Sequence, residues 1–157
     1  MALIPLWRKD GTAAGHAIVD DADAAVLGCH RWSLNTKGYA VRYESGRVVM
    51  MHRCVLSLTA SDELETDHIN RDKLDNRRSN LRAVTHAENL QNKGSYRGST
   101  SRYRGVYWDA ARQKWNAQIT VGGRRTKLGR FADEATAGAV AAEARRASMP
   151  FSAEAAG

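Results

Sequence analysis

The sequence predicts an α+β protein: a small antiparallel N-terminal region, a central strand, asparagine-rich loop and capped helix, then a three-stranded antiparallel sheet packed on one helix. Three observations predict it. Short β-branched and aromatic runs alternate with Gly, Asn and Ser turns over residues 32–51. An adjacent pair, Asp67 and His68, is followed by an asparagine-rich stretch and then by Thr85-His86-Ala87-Glu88, the spacing of a capping box. Beyond a Gly/Ser-rich interruption, three strand-like runs lead into an alanine-rich helical one.

Taken in order, residues 3–7 are apolar and read as an edge strand, the position that tolerates Pro5. Lys9-Asp10-Gly11-Thr12 has hairpin-turn composition. Asp20 to Leu27 begins acidic and turns apolar, as a short helix does. Trp32 to Leu34, Tyr39 to Tyr43 and Arg47 to Met51 are strand-like, separated by Asn35-Thr36-Lys37-Gly38 and Ser45-Gly46. They read as a meander feeding the centre. Val55 to Leu64 reads as helix and loop, followed by a short strand through Asp67 and His68 and a turn at Asn70-Arg71-Asp72. Neighbours on a strand face opposite ways, so Asp67 and His68 have different roles. Thr85 caps the next helix and Glu88 reaches back to it, which puts Asn89 in the first helical turn. Free N–H groups and a partial positive charge there suit a phosphate.

Gly94 to Ser101 has the composition of a linker, and Arg97 in it is suited to following a phosphate backbone. Tyr103 to Trp108, Lys114 to Val121 and Thr126 to Phe131 read as strands, with Gly122-Gly123 as a two-residue hairpin. In the middle one, Trp115, Ala117, Ile119 and Val121 alternate with Asn116, Gln118 and Thr120, giving one apolar face. An alanine-rich helix from Asp133 to Ala147 covers that face and leaves the polar one bare. Such a face can enter a major groove.

The 157 residues suffice for one ordinary domain or two small ones, with a formal charge of +7 and a pI of about 9.8. The excess is uneven. His68 to Arg130 carries 15 Lys and Arg against 4 Asp and Glu, whereas residues 1–67 carry 7 against 9. A basic block interleaved with Tyr and Trp, without a basic amphipathic helix or an apolar span, favours nucleic acid over membrane. Cys29 and Cys54 have no C-x-x-C partner, which argues against a zinc ribbon and a disulfide framework; both read as small buried or half-buried residues. The N-terminus has too short an apolar run, with charges on the wrong side, for a signal peptide. The expectation is a cytoplasmic protein of a bacterial or phage-infected cell.

The chemistry concentrates between Thr66 and Lys93. Strand, loop and helix start together could hold one divalent ion between Asp67 and Asn89, with His68 left to take a proton from water. Met51-His52-Arg53, Asp67-His68-Ile69-Asn70, the run from Leu74 to Arg82 and that from Val84 to Asn89 resemble the HNH nucleases, in the asparagine-ending branch of phage and intron homing endonucleases. The resemblance implies a ββα-metal site in which Asp67 and Asn89 bind one Mg2+-like ion (or another divalent ion such as Mn2+). It implies His68 as general base and Asn80 as a brace of the loop through backbone hydrogen bonds. Its products would be a 5′-phosphate and a 3′-hydroxyl. Arg71, Arg77, Arg78 and Arg82 are the cations expected to neutralise phosphates beside the cut. His16, His30 and His86 lie outside the matched catalytic positions and read as structural or exposed, and His52 reads as packing.

Tyr103-Arg104-Gly105-Val106, the run from Lys114 to Ile119 and Leu128-Gly129-Arg130-Phe131, followed by the alanine-rich helix, resemble an AP2 DNA-binding domain over Ser101 to about Ala147. The resemblance implies that Arg104, Lys114, Gln118, Arg125 and Lys127 face DNA. Tyr107, Asp109 and Thr120 depart from it, standing where plant members have arginine, and Lys127 stands where they have tryptophan. The expected organisation is a nuclease domain over residues 1–93 with its motif at 51–93, a basic linker at 94–101, and an AP2-like domain at 102–157. The expected partner is double-stranded DNA, not a membrane, with a monomer favoured. A non-catalytic DNA-binding regulator with an HNH-like fold is the alternative; an RNA-binding protein would need more stacking aromatics than Tyr107 and Trp108.

Overall fold

Residues 1–59, 61–96 and 98–155 are described by the computed structural model, in which the chain is α+β and divides into two units, Met1–Asn89 and Leu90–Gly157. Arg97 lies outside the described residues.

In the first unit β1 (Ala2–Trp7) and β2 (Ala13–Val19) form a hairpin, closed by Arg8 N–H donating to Thr12 O at 2.8 Å. Helix α1 (Asp21–Gly28) follows, then β3 (Trp32–Leu34), β4 (Ala40–Glu44) and β5 (Arg47–Met50). The sheet order is β2-β1-β3-β4-β5, with β1 parallel to β3 and the other pairs antiparallel. Two expectations change here. β1 is an interior strand, and the sheet is mixed, so the N-terminal region is not simply an antiparallel meander. Proline is tolerated inside because pairing with β3 begins only at Leu6, leaving Pro5 with one neighbouring strand.

Leu6, Val19, Trp32, Met51 and Val55 are fully buried, with Ile4, Leu27 and Leu81 beside them. Each such side chain contributes roughly 1.5–3 kcal/mol of apolar burial. The Trp32 indole N–H donates to Leu27 O at 2.8 Å, so this burial leaves no orphan donor. Cys54 is half-buried, but Cys29 is exposed at the end of α1.

Helix α2 (Met51–Val55) leads through a loop to β6 (Glu65–His68), which pairs antiparallel with β7 (Leu81–Val84). One turn of helix, α3 (His86–Asn89), follows. The connection at 69–80 is tied to β2: Ile18 N–H donates to Leu74 O at 2.8 Å, and Asn76 N–H donates to Ile18 O at 2.7 Å. The N-terminal sheet is thereby the floor on which the asparagine-rich loop rests.

The second unit contains β8 (Val106–Asp109), β9 (Lys114–Val121) and β10 (Arg124–Phe131) in the order β10-β9-β8, followed by α4 (Glu134–Ser148). Asp133 caps α4 by accepting from Thr136 N–H at 2.7 Å. Val106 and Ala117 of the sheet pack on Ala137 and Ala141 of the helix. Gly138 is needed for this approach, because a Cβ there would lie 2.5 Å from the Tyr103 ring. Residues 90–93, expected to end the nuclease domain, belong to this unit. The Arg104 guanidinium donates to the carbonyls of Leu90 (3.2 Å), Gln91 (2.5 Å) and Lys93 (2.7 Å). The expected linker is held too: Ser95 Oγ donates to Ser101 O, and Ser101 Oγ donates to Glu134. Polar composition alone does not separate a linker from a coil whose hydroxyls are used.

Candidate active site

Strand β6 presents Asp67 and His68 side by side, 6% and 5% exposed, with different partners. Asp67 Oδ2 accepts from Arg82 Nε at 2.9 Å and Nη2 at 2.7 Å; the two residues are paired across β6 and β7. The His68 ring lies against His52 and Tyr39, with centroids 5.2 and 6.0 Å away. Its Nε2 is 3.4 Å from Asn76 Oδ1, while Asn76 Nδ2 donates to Leu74 O at 3.1 Å and so fixes which end of that amide faces the ring. An amide oxygen only accepts, so this contact favours the tautomer with the proton on Nε2. Burial holds the His68 pKa below its ordinary value, against the upward pull of Asn76 and of Asp67, Asp72 and Asp75. The imidazole is therefore neutral at pH 7, the state a general base requires.

Asn80 ties the loop at both ends. Its Oδ1 accepts from Asn70 N–H at 2.9 Å, its Nδ2 donates to Asp75 O at 2.7 Å, and its carbonyl accepts from Ile69 N–H at 2.9 Å. Asp75, buried in the same loop, accepts from Asn70 Nδ2 and from Arg77 Nε and Nη2; the Arg77 hydrogen bonds lead the causes that lower its pKa.

At the end of α3, Asn89 Nδ2 donates to Glu65 Oε2 at 2.5 Å. The capping box is formed, with Glu88 Oε2 accepting from Thr85 N–H and Oγ at 2.8 Å. Glu65 and Asp67 are two apart on β6 and share a face, so Asn89 is held on the Asp67 side of the strand.

Sequence reasoning missed three contributors. Asn76, 0% exposed, is one of several asparagines in its stretch of sequence, yet it is the one that meets the His68 ring. His52, read as packing, packs edge-on against His68 itself. Glu65 was not singled out at all. The one available signal was period two along the strand, which puts Glu65 on the face of Asp67.

Three of the four arginines expected to meet phosphate have carboxylate partners within the fold. Arg82 is committed to Asp67, Arg77 to Asp75 at 2.6 Å, and Arg78 to Asp23 at 2.7 Å. Arg71 is exposed in the turn with φ 66°. Arg77 pairs with a carboxylate two residues away, whereas Arg78 and Asp23 are 55 residues apart and Arg82 and Asp67 are 15 apart.

In the second unit Arg104 is used on backbone carbonyls rather than offered from the sheet face. Pairing puts Lys114, Gln118, Arg125 and Lys127 on the face away from α4, with Tyr107 and Asn116. Arg130 joins them. Plain alternation from Lys127 would send it to the helix side, but the bulge between Lys127 and Gly129 shifts the register so that Arg130 lies opposite Asn116. Gly129, with φ 143°, allows that bulge. Lys114, Arg125, Lys127 and Arg130 have no ion-pair partner among the described residues.

Residues 61–91 match the family model described as HNH endonuclease, a span that holds Glu65, Asp67, His68, Asn76, Asn80 and Asn89. Residues 61–91 are thus similar to the HNH endonuclease family over about a fifth of the chain. The chain is also similar to Uncharacterized HNH endonuclease L560 of Acanthamoeba polyphaga mimivirus, 32% identical over 74 residues, which cover 45% of this chain and 39% of that protein. The match spans about two fifths of that relative's length. No solved structure matches the chain.

HNH endonucleases generally use a divalent metal, and the donors here suit one. Asp67 offers carboxylate oxygen; Asn89, with Nδ2 given to Glu65, has Oδ1 as its remaining ligand atom. Both are the hard oxygen donors that Mg2+ or Mn2+ take, with water and phosphate filling the other positions. Among the described residues no three His, Cys, Asp or Glu side chains assemble a metal cage. No described helix is long and apolar enough to cross a membrane.

Proposed function

We propose that this chain is a DNA endonuclease of the HNH homing or phage type, hydrolysing a phosphodiester with one divalent ion and a histidine base. The observation that carries the reading is the juxtaposition on β6 and α3: neutral His68 beside Asp67, with Asn89 anchored on the Asp67 face of the same strand. Asp67 and Asn89 would hold the ion, Mg2+ or Mn2+, whose positive charge would offset the negative charge that builds up as the phosphodiester is cleaved. His68, whose ring Asn76 orients through Nε2, takes the proton of the attacking water. Asn80 keeps the 69–80 loop closed, so that the imidazole and the carboxylate stay in register. A 5′-phosphate and a 3′-hydroxyl result.

The second unit is read as the AP2-like module that grips duplex DNA with Lys114, Gln118, Arg125, Lys127 and Arg130. One active site per chain makes a nick the expected product of one binding event.

The test is supercoiled plasmid incubated with wild type and His68→Ala, with Mg2+ and with EDTA. Metal-dependent nicking, reduced about 10²–10⁴-fold in the variant at unchanged DNA affinity, is expected from removing a general base. Equal nicking by the variant refutes the role of His68. A bound plasmid cut by neither protein under any metal favours a binding-only regulator, in which the Arg82 pair keeps Asp67 from any cation.

A further inference from the structure

We infer that Glu65 is a positioning residue of the cation site: it anchors the Asn89 side-chain amide through Nδ2, so that Oδ1 is the atom offered to a divalent ion. The inference rests on the reading of Asp67 and Asn89 as ligands.

Asparagine is a metal ligand through one end only. Its amide oxygen coordinates and its NH2 cannot, while the two ends are nearly alike in shape. A half-turn about the last side-chain torsion exchanges them, and something must choose. Glu65 makes the choice, because a carboxylate accepts hydrogen bonds and the group facing it at 2.5 Å must then be the NH2.

The same carboxylate also fixes the helix that carries Asn89. Glu65 Oε1 is 2.7 Å from His86 Nδ1 and Oε2 is 2.5 Å from Asn89 Nδ2, one oxygen for each end of α3. With four residues, α3 has little rigidity of its own. Two contacts spaced i and i+3 bind its one turn to β6, and the strand's period brings that turn to the Asp67 side. His86, outside the matched catalytic residues, acquires a task as the second point of this clamp. Each of its oxygens faces a donor from α3, so the Glu65 carboxylate is assigned to Asn89; lone pairs remain on both oxygens, and the double variant separates this role from direct ligation.

The experiment is Mn2+ binding to the full chain by calorimetry, in wild type and in the Asp67→Ala, Glu65→Ala, Glu65→Gln, Asn89→Ala and Glu65→Ala/Asn89→Ala variants, with far-UV circular dichroism as the folding check. Glu65→Ala is expected to weaken Mn2+ by about 10–100-fold, the usual cost of losing an outer-shell partner. Glu65→Gln, which keeps an oxygen for Asn89 Nδ2, should stay within about threefold of wild type. In the Asn89→Ala background the Glu65 change should cost nothing more, as a group acting through Asn89 requires. Wild-type affinity in Glu65→Ala overturns the inference. So does Glu65→Gln as weak as Glu65→Ala, or a further loss in the double variant; either makes Glu65 a ligand in its own right. Wild type that takes up no Mn2+, or Asp67→Ala that binds as well as wild type, removes the cation site itself. Should Glu65→Ala not fold, the Asn89 side-chain amide signal of wild type decides: protons protected by the hydrogen bond and unmoved by Mg2+ are expected, and free-amide shifts overturn it.

Discussion

His52 makes the first unit acid-sensitive, and the size of the effect follows from its surroundings. The residue is 7% exposed, packed edge-on between Tyr39 and His68. Burial first, then the neighbouring His68 and Arg53, lower its pKa from 6.5 to about 4. The unfolded chain therefore binds this proton before the folded one does. The stability tied to neutral His52 is complete above pH 6.5 and is lost as pH falls from 6.5 towards 4. A drop of this size corresponds to ~3 kcal/mol in full, of which ~2 kcal/mol is gone by pH 5. His52→Phe keeps a ring in the pocket and cannot titrate, though it also relieves His68 of a neighbour. Urea unfolding followed by circular dichroism, in half-unit pH steps from 7.5 to 4, gives wild type and variant side by side, and their difference removes the carboxylates common to both. Wild type should lose ~2–3 kcal/mol relative to the variant across that window, with the steep part below pH 6. A difference that stays flat, or wild type gaining on the variant as acid is added, refutes the placement of a neutral imidazole here.

Three further outcomes follow from local geometry. Gly138→Ala puts a methyl 2.5 Å from the Tyr103 ring and should cost the second unit about 1–3 kcal/mol by overpacking, read as a fall in its thermal midpoint. Asn80→Ala leaves the Asn70 N–H and the Asp75 carbonyl unpaired; about 1–3 kcal/mol of first-unit stability should go, together with plasmid nicking, since the loop that aligns His68 opens. Arg130→Ala should weaken DNA binding and reduce the slope of log affinity against log salt by about 1, measured by fluorescence anisotropy at several salt concentrations; an unchanged slope removes Arg130 from the DNA face.

What could be read from the sequence was what local pattern encodes. The alternation of Trp115, Ala117, Ile119 and Val121, the Gly122-Gly123 turn and the Thr85/Glu88 cap each depend on neighbours within a few residues, and β9, its hairpin and α3 stand where those patterns put them. The α+β class followed from the same signals. β2 carried no such signal: Ala-Ala-Gly-His has weak β propensity, and its partner β1 and its bonds to Leu74 and Asn76 supply what the residues lack. Pro5 suggested an edge, but the parallel partner β3 is distant in sequence and pairs only beyond it, Leu6 with Trp32. Arg130 was hidden by the bulge, since period two holds only until a residue is inserted. Within the candidate site, Asp67, His68, Asn80 and Asn89 stood out by spacing, whereas Asn76, His52 and Glu65 are recognisable only once their partners are in place.

The uneven charge of the chain takes on a different meaning in the folded state. From sequence, the basic block beginning at His68 was one electrostatic feature facing an acidic N-terminal stretch. Folding spends part of that stretch on the block: Asp23 takes Arg78 and Asp67 takes Arg82, while within the loop Asp75 takes Arg77. The Arg78 pair, with its guanidinium more than half exposed, is weak enough to exchange a carboxylate for a phosphate, whereas Arg77 is held by the buried Asp75. The Arg82 pair is more enclosed, 18% and 7% exposed, and neutralises Asp67 from the adjoining strand. Positive charge near the candidate base is thus mostly balanced before any DNA arrives, and it serves to hold the loop and the carboxylate in place. The second unit is built the other way. Its face opposite α4 carries Lys114, Arg125, Lys127 and Arg130, unpaired among the described residues, and the uncompensated field that draws a polyanion lies there. On the proposed reading, affinity and chemistry are separated along the chain: salt-sensitive grip would belong to the C-terminal sheet, and the ion-paired centre would be left to position a neutral histidine against one phosphate.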